Sequence, residues 1–246
     1  MSEQIISHKE KIVGARKDVT QKALQTFVII PVYNEATHII PIIEGCKKAG
    51  FPNIIVVDDG STDHTKLLAH KCEVHVVSHL INRGQGAAIQ TGILAALSMG
   101  ADVLITMDGD EQFSPEDIGK IAAPLLNQEV DVVIGSRFKQ KNTVPFLRRL
   151  FNFIANLLTF ILSGIFVSDS QSGFKGFSHY AAKKIEIHTS GYEFCTEIIR
   201  EIAYLNLSFR EVPVYVSYTK DSLKKGQNLA NGFKTAAKLL VRSLMK

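Results

Sequence analysis

Met107-Asp108-Gly109-Asp110-Glu111-Gln112 follows the apolar run Val103-Leu104-Ile105-Thr106 and sets two carboxylates one residue apart at the mouth of a buried strand. So oxygen-rich a site is hard in the coordination sense and suits Mg²⁺ or Mn²⁺, ions that usually arrive with a diphosphate. Asp-x-Asp also occurs in ordinary turns. The pair gains weight from a second acidic strand end upstream, Asp58-Asp59-Gly60-Ser61-Thr62-Asp63. Two such ends on neighbouring strands suggest a single nucleoside-diphosphate site.

Those residues need a scaffold that brings them together, and the first half of the chain supplies the pattern for one. Short β-rich runs (Thr26–Pro31, Asn53–Asp58, Val74–Ser78, Val103–Met107, Val130–Ser136) alternate with helical patterns (Ala36–Ala49, Thr62–Lys71, Gly86–Met99, Pro115–Asn127). This order predicts an α/β fold, a mostly parallel central sheet flanked by helices. The unbroken apolar character of Ile54-Ile55-Val56-Val57 suits a strand covered on both faces. Ser114 reads as an N-cap, with Pro115 at the first helical position and Glu116-Asp117 in the first turn. Ligands of such sheets sit beyond the carboxyl ends of the strands. Four polar ends, Tyr33-Asn34-Glu35, Asp58-Asp59, Asp108/Asp110 and Ser136-Arg137, should therefore converge on one edge. Further on, a strand at Gly173–Ser178, a helix at Glu193–Leu205 and a strand at Phe209–Ser217 read as additions to the same sheet.

The 246 residues, 46% of them hydrophobic, fit one folded domain rather than a disordered chain. We divide it into an N-terminal extension (1–25), a core domain (26–218) and a basic amphipathic C-terminal helix (219–246). Three scattered cysteines without a CxxC argue for a reducing compartment and against structural zinc, and no secretory signal is visible at the N-terminus. The net charge of +4 is unevenly spread. Five basic residues and no acidic one fall between Arg137 and Arg149, and seven against Asp221 alone between Lys220 and Lys246. Each run suits phosphates or an anionic membrane, or is simply a solvated surface. Neither has the interleaved aromatic platforms of a nucleic-acid site.

Leu150 to Val167 is eighteen residues without a charge, yet Asn152, Asn156, Thr159 and Ser163 draw a polar stripe along one helix face. That stripe argues for an amphipathic helix rather than a span. It either lies in a membrane interface, the reading preferred, or closes over the core. In Leu229–Leu244, Leu229, Phe233, Ala237, Leu240 and Leu244 share one face, opposite Lys234, Lys238 and Arg242. That pattern fits an anionic lipid surface or a helix packed on the domain.

The ordered set of motifs resembles family 2 glycosyltransferases of the GT-A (Rossmann-like) fold, and within them the polyprenyl-phosphate branch that includes dolichol-phosphate mannose synthase. The matching pieces begin with Pro31-Val32-Tyr33-Asn34-Glu35, Val57-Asp58-Asp59-Gly60-Ser61-Thr62-Asp63 and Asn82-Arg83-Gly84-Gln85-Gly86. They continue through Met107–Gln112, Gly135-Ser136-Arg137-Phe138, Asp169-Ser170-Gln171-Ser172-Gly173-Phe174-Lys175 and Glu211-Val212-Pro213-Val214.

The resemblance implies a nucleotide-sugar site built from Pro31, Tyr33, Glu35, Val57, Asp59, Asp108 and Gly109, with Asp59 accepting hydrogen bonds from base or ribose. The plainer reading of Asp58 and Asp59 is that they cap the helix near Thr62. The resemblance also implies Mg²⁺ or Mn²⁺ on Asp110 and Gln112, with Asp108 nearer the ribose or the metal's waters. Asn82 to Gly86 becomes a loop close to the donor rather than a dinucleotide fingerprint, whose third glycine is here Ile89. Arg137 would meet a phosphate of acceptor or donor, with Arg148 or Arg149 as a second contact, and Asp169 would orient acceptor or sugar. After the Val-Pro strand the sequence departs from the family's Arg-x-x-Gly-x-Ser-Lys pattern, so Lys220 or Lys224 would take over phosphate contacts.

The implied reaction is inverting transfer of one sugar from a donor of GDP-mannose or UDP-glucose type to a polyprenyl or dolichyl phosphate. It would run peripherally on the cytoplasmic face of a membrane, at the lipid surface or with a membrane subunit. The rival is a family 2 enzyme acting on a sugar hydroxyl in cell-surface polysaccharide synthesis, for which Asp169 would be the general base. A non-catalytic docking or regulatory subunit is a third class, against which stands the presence of every charged position expected for donor and metal.

Overall fold

The structure, a computed structural model, describes residues 24–141, 144–191 and 193–217, with the side chain of Leu147 excepted. The expectations for 1–23, Tyr218, Lys220, Lys224 and the helix at 229–244 lie outside them. Seven strands, β1 (Thr26–Val32), β2 (Ile54–Asp58), β3 (His75–Ser78), β4 (Val103–Thr106), β5 (Val132–Ser136), β6 (Lys175–Ser178) and β7 (Phe209–Pro213), form one sheet in the order β3-β2-β1-β4-β6-β5-β7. All neighbours are parallel except β6, which runs antiparallel to both β4 and β5.

The strands are apolar along their whole length because helices cover both faces. Phe27 and Ile29 of β1 join Ile55, Val57, Leu104 and Ile134 on one side, while Val28 and Ile30 join Ile54, Val56, Ile105 and Val133 on the other. The first core is closed by α3 (Gln85–Ser98), α6 (His179–Lys184) and α7 (Phe194–Tyr204), and the second by α1 (Ile39–Lys48), α2 (Thr65–Lys71) and α4 (Ile118–Leu126). Ser114 does cap the turn ahead of α4, accepting from Glu116 N at 3.4 Å, but Pro115–Asp117 is a 3-10 turn before the α-helix begins. The short α6 had no expectation.

The antiparallel β6 has a consequence for the site. Because it enters the sheet from the edge where β4 and β5 end, Lys175 pairs with Thr106 and Ile134. The segment Ser170–Phe174 is thereby delivered beside Asp108. The helix expected over Leu150–Val167 is α5 (Phe146–Ser163), ended by Gly164 in the left-handed region at φ 74. Its polar stripe faces the protein. Asn156 Nδ2 donates to Ser168 O at 2.7 Å, and its Oδ1 accepts from Ser170 N at 2.9 Å and Ser170 Oγ at 2.8 Å. Thr159, fully buried, meets Thr196 Oγ1 of α7 at 3.0 Å. The apolar side faces outward, with Phe146 77%, Phe153 65% and Ile161 67% exposed.

Candidate active site

A cleft of about 500 Å³ opens at the carboxyl ends of β1, β2, β4 and β5, large enough for a nucleotide sugar by the usual scale of ligand sites. Pro31, Tyr33, Glu35, Asp59, Asp108, Gly109, Asp110, Gln112 and Arg137 all border it. Val57 and Asp169, both named from sequence, do not. Val57 is fully buried in β2 against Gly92 and the core, because its position in the strand turns it away from the edge. Asp169 is also fully buried, and its carboxylate is held by Arg137: N to Oδ2 at 3.0 Å, Nε to Oδ2 at 2.7 Å and NH2 to Oδ1 at 2.7 Å. Such a two-pronged, charge-assisted pair fixes the guanidinium plane. The Asp169 carboxylate thus faces Arg137 rather than the cleft.

On the acidic side, each turn is wired to the next. Asn34, at φ 54, donates its N–H to Ser61 Oγ at 3.0 Å and accepts from Thr62 N on Oδ1 at 2.9 Å. Asp58 receives Ser61 N at 3.2 Å, and Asp63, with bonds from Thr65 N at 2.9 Å and Ala36 N at 3.2 Å, starts α2. So Asp58 closes the turn before α2 without capping the helix itself, which begins at Thr65 beside Asp63, whereas Asp59 looks the other way, into the 79–84 loop. Gly84, at φ +96, closes that loop under Ser190, whose carbonyl oxygen a Cβ would strike, and Gly86 N donates to Ser190 O at 2.9 Å. Gln85 then reaches Asp108 Oδ1 with Nε2 at 2.7 Å.

Asp108 sits against Gly173, where a Cβ would collide with both carboxylate oxygens. Burial, and then the charge of Asp110, push its carboxyl up to about 7, against the opposing pull of Lys175, Arg137 and Gln85. Burial also raises Asp110, with Glu35 adding to the rise and the Gln112 N–H opposing it. Gln112 donates to Asp110 twice, from N at 3.1 Å and Nε2 at 2.6 Å, which leaves its amide oxygen for another partner. Among the described residues no three His, Cys, Asp or Glu side chains gather as a metal cluster. The donor set nevertheless fits a divalent cation: two carboxylates that each disfavour the other's charge, an amide oxygen, and room for water or phosphate oxygens.

The opposite wall is cationic. Arg148, in the first turn of α5, borders the cleft with Phe151 and Asn152, whereas Arg149 is exposed to solvent. Lys139 is turned away to Glu211 at 3.4 Å. Glu211 also takes Ser168 N at 2.7 Å and Ser168 Oγ at 2.8 Å, tying β7 to the segment before Asp169. Gln85, Gln171, Phe194 and Cys195 border the cleft without having been singled out as site residues. Gln85 and Gln171 lie inside motifs read as wholes, whereas nothing in the local spacing of Phe194 and Cys195 marks them. Lys175 is buried below, donating to Ser172 O and lying 5.9 Å from the Phe194 ring centroid.

A largely parallel sheet with one antiparallel strand, an acidic turn after β4 and a nucleotide-sized cleft at the carboxyl edge define a GT-A glycosyltransferase. Glucosyl-3-phosphoglycerate synthase from Mycobacterium tuberculosis, solved with Mn²⁺, uridine diphosphate and glucosyl-3-phosphoglycerate, has this fold: TM-score 0.67 over 90% of this chain and 79% of that one, at 18% identity. Residues 27–186 match the family described as Glycosyl transferase family 2, and the chain belongs to that family. Among its relatives, the UDP-N-acetylglucosamine–dolichyl-phosphate N-acetylglucosaminyltransferase of Methanococcus voltae is 33% identical, covering 89% of this chain and 96% of that protein. The polyprenol monophosphomannose synthase of Mycolicibacterium smegmatis is 31% identical over 87% and 85%.

Proposed function

We propose that the protein is an inverting, metal-dependent glycosyltransferase of the core domain 26–218. It moves one sugar from a nucleoside-diphosphate sugar, of GDP-mannose or UDP-glucose type, to a polyprenyl or dolichyl phosphate. The observation that carries this reading is one cleft with an acidic pair at one wall, arginines at the other, and an outward apolar helix beginning at the arginine wall. The names of the relatives above agree with it.

Asp108, Asp110 and Gln112 would hold Mg²⁺ or Mn²⁺, which when bound neutralises the departing diphosphate. Pro31, Tyr33, Glu35, Asp59 and Gly109 border the nucleotide. Ser217 N donates to Gln112 O at 2.9 Å, so the chain leaves the described part beside the acidic turn. This supports Lys220 and Lys224 as donor-phosphate contacts. Arg137 and Arg148 receive the acceptor phosphate, and Asp169 holds Arg137 in plane. A phosphate monoester is already anionic near pH 7, so its attack on the anomeric carbon needs alignment more than a base. A sugar hydroxyl would need a base, and Asp169, buried and triply bonded to Arg137, is unsuited to that task. This disfavours the hydroxyl-acceptor reading.

Among the described residues no helix is long and apolar enough to cross a membrane. The outward apolar side of α5, next to Arg148 and Arg149, supports peripheral action at an anionic lipid surface, for which we take the cytoplasmic face. The test is incubation with Mn²⁺ or Mg²⁺, a short polyprenyl phosphate and a panel of labelled nucleotide sugars. Label entering the organic phase with one donor, and lost in Asp110→Ala, is the expected result. Absence of lipid-phase label with every donor, despite nucleotide binding, would shift the reading to a hydroxyl acceptor.

A further inference from the structure

Asp59 borders the cleft with its lone pairs nearly used up. Oδ1 accepts from His79 Nδ1 at 2.6 Å and from Arg83 N at 2.9 Å, while Oδ2 accepts from Gly84 N at 2.7 Å. A carboxylate has about four lone-pair positions, two on each oxygen. One is left, on Oδ2. The three donors are themselves fixed. His79 has a side chain only 6% exposed, its Nε2 meets Thr91 Oγ1 at 3.0 Å, and its backbone N–H donates to Asp58 O at 2.9 Å. Arg83 and Gly84 belong to the loop clamped beneath Ser190, and the backbone of Ile81 and Asn82 packs on Gly60.

We propose that this saturation makes Asp59 a reader of a single N–H, so that the cleft takes a uridine diphosphate sugar in preference to a guanosine diphosphate sugar. The proposal rests on the nucleotide-sugar reading above and names its base. Uracil has one N–H on its pairing edge, N3–H, between two carbonyls. Guanine presents N1–H and the 2-amino group side by side, a pair that matches both oxygens of a free carboxylate. With Oδ1 filled by His79 and Arg83, the second guanine donor loses water and finds no acceptor. A stranded donor of that kind weakens binding by about ten- to a hundredfold. His79, which does not border the cleft, is then a positioning residue that sets base preference through Asp59.

Titration calorimetry of the full chain with UDP and with GDP, each with Mn²⁺, tests this. UDP should bind at least about tenfold more tightly. His79→Asn, whose amide keeps a donor at the Nδ1 position, should retain the ratio. His79→Phe frees Oδ1 and should narrow the ratio, whereas a merely structural role would weaken both nucleotides alike. GDP binding as tight as UDP in the wild type overturns the proposal alone, as does an unchanged ratio in a folded His79→Phe. If neither nucleotide binds, the proposal falls together with the nucleotide-sugar reading. Should His79→Phe fail to fold, the wild-type ratio and His79→Asn still decide.

Discussion

The two walls of the cleft are held in place by different means. The acidic wall, from Asn34 to Gln112, is built from turns that follow parallel strands. Its side chains are fixed mostly by backbone N–H groups of the next turn, as with Asp59 and the N–H groups of Arg83 and Gly84. The cationic wall, from Arg137 to Gly173, depends on side chains that reach across long sequence separations, as Arg137 does to Asp169 and Asn156 to Ser168 and Ser170. Backbone donors come with the fold and tolerate substitution of the residues that carry them. Side-chain pairs do not. The acidic wall should therefore fail mainly through its chemistry, and the cationic wall through its structure.

The largest effect expected is at Asp110. Asp110→Ala should lower transfer by about 10³-fold or more, the scale of losing electrostatic stabilisation of a leaving group, while the thermal midpoint changes little. Loss of the fold in this variant would break the comparison. Asp169→Ala should do the opposite. It leaves the buried guanidinium of Arg137 without its partner and should cost about 3–5 kcal/mol of stability in a denaturant titration, with a rise in acceptor KM and little change in donor KM.

Asp108 sharpens the contrast through pH. Its carboxyl is raised to about 7, so the metal-free protein keeps a proton there that the unfolded chain has released. Ionisation of Asp108 in the unfolded chain, while the folded state still holds its proton, therefore erodes stability as pH rises from about 4 toward 7, and the loss levels off above 7, where the folded state ionises as well. Mn²⁺ must displace that proton, so its affinity should fall as pH drops from 8 to 6, measurable by calorimetry. Asp108→Asn should weaken the pH trend, leaving the part that comes from the raised carboxyl of Asp110, and raise the metal-free melting temperature by ~5 °C, even as activity is lost.

Phe153→Asp combined with Ile161→Asp, on the outward side of α5, should reduce co-sedimentation with anionic vesicles by about a hundredfold or more, since each removes an apolar anchor of roughly 1.5–3 kcal/mol. The thermal midpoint and the rate with a short, water-soluble acceptor should not move. A fall in both would mean that this side supports the fold. The smallest effect belongs to Thr159→Val. It removes one buried hydroxyl from the Thr159–Thr196 contact and should cost about 1 kcal/mol, without altering either KM.

Much of the acidic wall was legible in the sequence because its information is local. Apolar runs ending in Asp58-Asp59 and Asp108-Gly109-Asp110 identify both the strands and the residues at their mouths, and the rule that ligands meet strand ends does the rest. The direction of the Val57 side chain was not legible for a related reason: adjacency to Asp58 in a motif says nothing about which face of the strand a side chain takes, and alternation turns Val57 into the core. The pairing of Asp169 was not legible because it spans thirty-two positions to Arg137, a separation no local pattern encodes.

By itself, then, the sequence determined the order of strands and of the helices other than the short α6, the acidic strand ends and the two-sided character of α5. Apolar periodicity and turn chemistry act within a few residues and survive any arrangement of the whole. Only the tertiary structure decided that β6 enters antiparallel to bring Gly173 against Asp108, and that His79 fills Asp59. It also decided that the polar side of α5, not its apolar side, packs on the protein. A stripe of Asn and Thr is satisfied equally well by water or by buried partners, and the choice depends on whether distant backbone, here Ser168 and Ser170, lies within hydrogen-bonding reach.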